Sequence, residues 1–360
     1  YYSFRYGTSG VEDALNNALR GESDDVLAEA WRKLFHEPQV GRDVRLALDA
    51  AWQAQASNLL GEHSGAVVLL TIPEGAIRVL LSQPLYDPND LDEQFEFLTS
   101  DESAPLLNRA TQGQYQPGMV LEPFVLAAAV NQDLITLEDA VEDPNRPVEV
   151  AGQQMDCLFP LIAPVTWVEV LGASCPAPLV ELAPQFGAEG LQAVWDLFGF
   201  TSTPTMTTVP LAEAVPGTVT DPAVAIIGQE ALVISPLQVA VAWSAIGNMG
   251  VPVQPRLVAA VQNTAGEWVS NAENSSPRQP ILSLESAEQI RAVLPTAEQR
   301  TLEYTTLVLS GPEESTNGWY LGLAPAAAPR YAIVVVVEDV DQAAVAQEIG
   351  QELLRVVLDN

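Results

Sequence analysis

The strongest constraint on the fold is that two groups of strand-like segments stand at opposite ends of the chain with a long helical pattern between them. Residues 65–72 and 76–81 are short and nearly all apolar, and Pro73-Glu74-Gly75 separates them as a tight turn. Strand-like runs return only beyond residue 300, at 306–309, 318–323 and 331–337, rich in aromatic and β-branched residues. A lone hairpin is marginal in water, so the two groups must pair into one sheet. Because 65–72 and 76–81 lack polar alternation, that sheet is expected to be covered on both faces. Apolar spacing of three and four predicts helices over 11–19, 25–34, 46–60 and 343–358, and a mostly helical, Ala-rich block from about 90 to 250. The expected class is α+β: an antiparallel sheet built from N- and C-terminal strands, flanked by helices, with a large all-helical insertion. A site is expected in the cleft between sheet and insertion.

Charge narrows the function. Lys33 is the only lysine, and 15 basic against 47 acidic residues give a formal net charge of -32. Such a surface repels nucleic acid and anionic lipid, because both are bound by Lys and Arg displacing counterions. A hydrophobic fraction of 48% argues against a strongly salt-adapted surface. The acidic run at 138–143 reads as solvated helix ends or loops. No uninterrupted apolar stretch reaches the roughly 18 to 20 residues that span a bilayer, since 158–173 is broken by Pro164 and Glu169. The start, Tyr1-Tyr2-Ser3-Phe4-Arg5-Tyr6, carries neither an initiator Met nor a signal-peptide pattern, as expected of part of a longer product, and an upstream anchor stays open. With His36 and His63 the only histidines, a metal centre or Ser-His-Asp triad has little material, and no metal or cofactor is expected. Cys157 and Cys175 read equally as two buried thiols or as one disulfide formed in an oxidising compartment.

Several ordered segments carry a resemblance. Gly41-Arg42-Asp43-Val44-Arg45-Leu46-Ala47-Leu48-Asp49 with Gln53, Ser82-Gln83-Pro84-Leu85-Tyr86-Asp87-Pro88-Asn89, and Leu106-Leu107-Asn108-Arg109-Ala110 leading to Tyr115-Gln116-Pro117-Gly118 come first. Gly228-Gln229, Ser235-Pro236-Leu237-Gln238-Val239-Ala240 and Gly318-Trp319-Tyr320-Leu321-Gly322-Leu323-Ala324-Pro325 follow. Together they resemble the transpeptidase domain of class B penicillin-binding proteins, extracytoplasmic enzymes that cross-link peptidoglycan. The likeness implies a domain over 41–360, with a helical subdomain at about 90–250, preceded by the end of a pedestal or linker region over 1–40.

The motifs that carry the family's chemistry depart from its pattern. The family uses S-x-x-K at a helix start, S-x-N in the helical block and K-T-G on a strand. Here Pro117-Gly118-Met119-Val120-Leu121-Glu122-Pro123 puts Met119 at the nucleophile and Glu122 at the base. A thioether has no proton to lose and forms no acyl-enzyme. Ser174-Cys175-Pro176 keeps the serine but puts Pro176 at the amide-bearing Asn, and Leu309-Ser310-Gly311-Pro312 aligns with the third motif. There Leu309 removes a cation, Ser310 and Gly311 are acceptable variants, and Pro312 lacks the N–H the family uses in its oxyanion hole. Losing one such donor costs on the order of 10²- to 10³-fold.

The resemblance therefore implies an inactive transpeptidase-like domain, a binding or scaffolding module in a bacterial cell envelope, anchored through a segment outside this chain. Its expected ligands are protein partners, with basic surfaces favoured by the acidic exterior; the oligomeric state is left open. Met119, Glu122, Ser174 and Leu309 are expected to line a shallow pocket. The competing readings are an active acyltransferase or hydrolase using Ser174 or Ser310 with Glu122, and a ligand or cation sensor using the remodelled cleft.

Overall fold

The computed structural model describes residues 2–3, 5–22, 26–36, 38–206, 211, 213–215, 217–263, 265–270, 278–310 and 315–359. Its main sheet has six strands: β1 (Gly65–Thr71), β2 (Ile77–Gln83), β3 (Thr296–Ala297), β4 (Thr301–Ser310), β5 (Ser315–Ala324) and β6 (Tyr331–Val337). They lie in the order β3-β4-β5-β6-β1-β2, all antiparallel. The two ends of the chain meet where β6 pairs with β1, Val337 opposite Gly65 and Tyr331 opposite Thr71. The expected α+β sheet forms.

Both faces are covered because successive strand residues point to opposite sides. Ala66, Val68, Leu70 and Ile72 join a core shared with Trp319, Leu321, Val334 and Val336 and with the helical block. Val67 and Leu69 join a second core, with Ile333 and Val335, under α1 (Ala50–Leu60) and α7 (Ala344–Asp359). Helix α7 buries Ala346, Ile349, Gly350, Leu353, Leu354 and Val357, the three-and-four spacing of one apolar stripe. Gly350 lies so close to Tyr320 that an added Cβ would sit 2.0 Å from its ring.

The block between β2 and β3 contains α2 (Glu122–Asn131), α3 (Trp167–Ala173), α4 (Pro176–Leu197), α5 (Pro236–Gly247) and α6 (Leu284–Val293). Phe124 of α2 meets Phe200 and Trp243 edge-on at 5.2 and 6.1 Å, which ties α2, the turn after α4 and α5 together. Helix α5 begins with a capping box in which the Ser235 side chain accepts from the Gln238 N–H and Gln238 Oε1 from that of Ser235.

Three expectations are corrected. The insertion is not all helical: Ala140–Val141 pairs with Val165–Thr166, and Val148–Val150 with Gln153–Met155, in a stretch without helical spacing. Residue 46 does not open a helix. Val44–Leu46 is a strand beside Val258–Gln262, and the helix waits for Asp49, whose carboxylate accepts from the N–H groups of Ala51 and Trp52. The helix expected over 11–19 is two short ones, Val11–Ala14 and Asn16–Leu19, broken at Leu15. The start of the 25–34 helix lies outside the described residues, and Val26–Phe35 is helical. Glu138 and Asp139 of the acidic run are exposed, with Asp139 closing a turn on Thr136.

Candidate functional site

The first motif position begins in a backbone crossing that only glycines permit. Gly118 has φ 50° and its N–H donates to the Gly228 carbonyl at 3.0 Å; a Cβ on Gly228 would lie 2.4 Å from Gly118 N. A 3-10 turn, Gly118–Leu121, then runs into α2. Met119 and Glu122 are three residues apart, so they share a face.

Ser174 arrives from another direction. Helix α3 starts on a Thr166/Glu169 capping box and ends at Ser174 in the left-handed region, φ 52°. Pro176 occupies the first turn of α4, where the missing N–H costs nothing. A disulfide joins Cys175 to Cys157, and the N–H groups of Leu158 and Phe159 donate to the carbonyls of Ser174 and Ala173. The open question of the two cysteines is thereby resolved in favour of the bond. Cross-linking positions 18 apart removes loop entropy from the unfolded chain. The paired Cys157→Ser/Cys175→Ser variant is expected to lose about 3 kcal/mol. Urea unfolding reads this directly, and an unchanged midpoint would contradict it.

The third contribution is one the sequence missed. Strand β4 brings Tyr304 and Thr306 into hydrogen bonds with Met119, Glu122 and Ser174, while Leu309 packs, partly buried, against the same core. Tyr304 Oη lies 2.7 Å from the Met119 carbonyl, 2.7 Å from Glu122 Oε2 and 3.2 Å from Ser174 Oγ, and Ser174 Oγ lies 2.8 Å from Thr306 Oγ1. Leu309 is three residues beyond Thr306, about 10 Å along a strand. Ser310 is held at the hairpin end, its carbonyl accepting from Ser315 Oγ. Gly311 and Pro312 lie outside the described residues. The available signal was the run Leu302, Tyr304, Thr306, Val308, alternate residues that all face the helical block and are all buried.

These side chains fill the expected cleft instead of lining it. Met119 is 3% exposed, Glu122 0%, Ser174 2%, Tyr304 2% and Thr306 1%. The single phenolic proton of Tyr304 faces two acceptors at 2.7 Å, the Met119 carbonyl and Glu122 Oε2, so neither receives a full donor of its own. Burial pushes the Glu122 carboxyl well above the ordinary glutamate range, the Tyr304 hydrogen bond opposing it only in part. Among the described residues Glu122 Oε1 has no hydrogen-bond partner, an arrangement tolerable for a neutral acid and costly for a carboxylate. Burial first, and the neighbouring Glu122 second, push the Tyr304 phenol up as well. The cluster is therefore neutral. It holds hydroxyls in Ser174, Tyr304 and Thr306, but no group in the charge state of a base that would activate them.

The comparisons agree with this architecture. The family model for the penicillin binding protein transpeptidase domain matches residues 65–355. A peptidoglycan D,D-transpeptidase, PbpA, of Mycolicibacterium smegmatis is 27% identical over 94% of this chain and 76% of its own length. The crystal structure of PBPA from Mycobacterium tuberculosis superposes with a TM-score of 0.88 at 24% identity, covering 99% of this chain and 90% of that one. A D,D-transpeptidase domain from Eggerthella lenta gives 0.84 at 24% identity, covering 100% and 89%. With a match across most of the chain and the same sheet and helical block, the protein belongs to the class B penicillin-binding protein transpeptidase family.

Proposed function

We propose that this domain is a catalytically inactive member of its family, retained as a binding or scaffolding module in the bacterial cell envelope. One observation carries the reading: the Tyr304 phenol closes the space between the strand and the helix starts, hydrogen-bonded to Met119, Glu122 and Ser174. Acyl transfer needs a nucleophile and a group able to take its proton. Met119 has no proton to give, and Ser174 has only neutral neighbours.

An extracytoplasmic location is supported by the Cys157–Cys175 bond, since disulfides persist in oxidising compartments. Among the described residues no helix is long and apolar enough to cross a membrane. Any membrane attachment in this reading comes from outside the described chain. The net charge of -32 favours partner proteins with basic faces, acting mainly on encounter rates.

Incubation with a fluorescent penicillin tests the reading. After denaturing electrophoresis no covalent band is expected. PBPA of M. tuberculosis, for which a penicillin G acyl-enzyme complex has been solved, serves as the positive control in the same gel. A label on this chain that survives denaturation and approaches one per molecule would overturn the proposal.

A further inference from the structure

A second site stands away from the filled cleft, on the surface of the helical block. A cavity of about 280 Å³ opens between the end of α4 with its following loop and the side of α5. Leu197, Phe198, Val241 and Ile281 give it an apolar wall, and Arg278 lines it with them. The loop is fixed: Gln238 Nε2 of α5 donates to the carbonyls of Gly199, Phe200 and Ser202 at 3.3, 3.0 and 3.1 Å. The wall is therefore built before any ligand arrives.

Arg278 is the one charged side chain among the residues lining this cavity. Arg78, Arg109, Arg146, Arg300 and Arg355 each hold a carboxylate, as expected where acids outnumber bases threefold. No carboxylate or other hydrogen-bond acceptor among the described residues meets Arg278, although it is partly buried. Desolvation alone pulls its guanidinium below the ordinary arginine value. Among the described residues, then, this half-buried cation stands beside an apolar hollow with no acid against it. Thr203 Oγ1 accepts from the Ala214 N–H, so its own proton remains free to donate into the same cavity.

We propose that this cavity binds a small carboxylate with an apolar body, the carboxylate on the Arg278 guanidinium and the body against Phe198, Val241 and Ile281. The volume limits the ligand to about the lower end of ordinary small-molecule sites. An amide or alcohol of the same shape lacks the charge, and inorganic phosphate lacks the body.

Phenylacetate, phenylacetamide and inorganic phosphate are the probes, titrated by calorimetry into the whole domain at low salt. Phenylacetate is expected to saturate a single site. Phenylacetamide, and phenylacetate on the Arg278→Gln variant, are expected to bind about 10- to 100-fold more weakly, the range of a charge-assisted hydrogen bond. Because Arg278 makes no ion pair among the described residues, the variant is expected to melt at the wild-type temperature. Arg278→Lys, which keeps the charge, is expected to bind within about threefold of wild type, a difference below one charge-assisted bond. Absence of saturable phenylacetate binding, equal binding by Arg278→Gln, or phosphate binding as tight as phenylacetate would each overturn the proposal.

Discussion

Glu122→Gln is expected to be more stable than the wild type at neutral pH, by a margin that widens as pH rises. In the unfolded chain Glu122 loses its proton near the ordinary glutamate value of about 4.3. In the folded protein, burial holds that proton to higher pH. Between the two values the native state binds the extra proton, so this site's contribution is full below the unfolded value and falls as pH climbs toward the folded one. The slope is up to about 1.4 kcal/mol per pH unit. Gln has no such titration, and its side-chain carbonyl can still accept from the Tyr304 hydroxyl. Urea unfolding of both proteins across the mildly acidic to neutral range reads the difference, in which the other acidic groups cancel. Parallel stability curves would show that Glu122 is charged in the fold, and the neutral cluster would fall with that result.

The second large effect lies behind the cleft, at Arg109. Its side chain is 5% exposed, with Nε 2.9 Å from Glu338 Oε1 and the two terminal nitrogens donating to the Ala104 and Ser103 carbonyls at 3.1 and 2.7 Å. The Tyr115 hydroxyl donates to the same Glu338 oxygen at 2.7 Å. One guanidinium thus binds the segment ahead of the first motif to the end of β6. Arg109→Ala leaves the Glu338 carboxylate with Tyr115 alone and the Ala104 and Ser103 carbonyls without their donor. The expected loss is about 3–5 kcal/mol, nearer the lower figure because Glu338 is 21% exposed and water can reach it. Adding Glu338→Gln to Arg109→Ala is expected to recover part of the loss, since the stranded charge is gone; a double-mutant cycle measures the coupling. Additive losses would mean that the ion pair contributes nothing beyond its separate contacts.

How far the sequence could be read depended on the range over which each feature is decided. Residues 65–72, 76–81 and 331–337 were legible because short apolar runs bounded by turn residues have few alternatives. Glu122 and Ser174 were legible through motif spacing, which local helix geometry preserves. The contribution of β4 was not. The match at Leu309-Ser310 falls at the hairpin end of β4, whereas the residues that bond to Ser174 and Glu122 are set by strand pairing, Tyr304 opposite Leu321 and Thr306 opposite Trp319. No local composition encodes that register. The disulfide was likewise open, since Cys157 comes near Cys175 only after Leu158 and Phe159 bond to Ser174 and Ala173. The strand at Val44–Leu46 escaped because its partner, Val258–Gln262, is remote in sequence.

The meeting of β1 with β6 also fixes an order of events during synthesis. Residues 65–83 leave the ribosome as an apolar hairpin whose neighbour on one side is among the last segments to be made. The helical block emerges complete in the interval, while one flank of that hairpin stays uncovered and open to wrong pairing. A chain released short of residue 331 therefore carries a finished helical half and an unfinished sheet, a natural target for quality-control proteases.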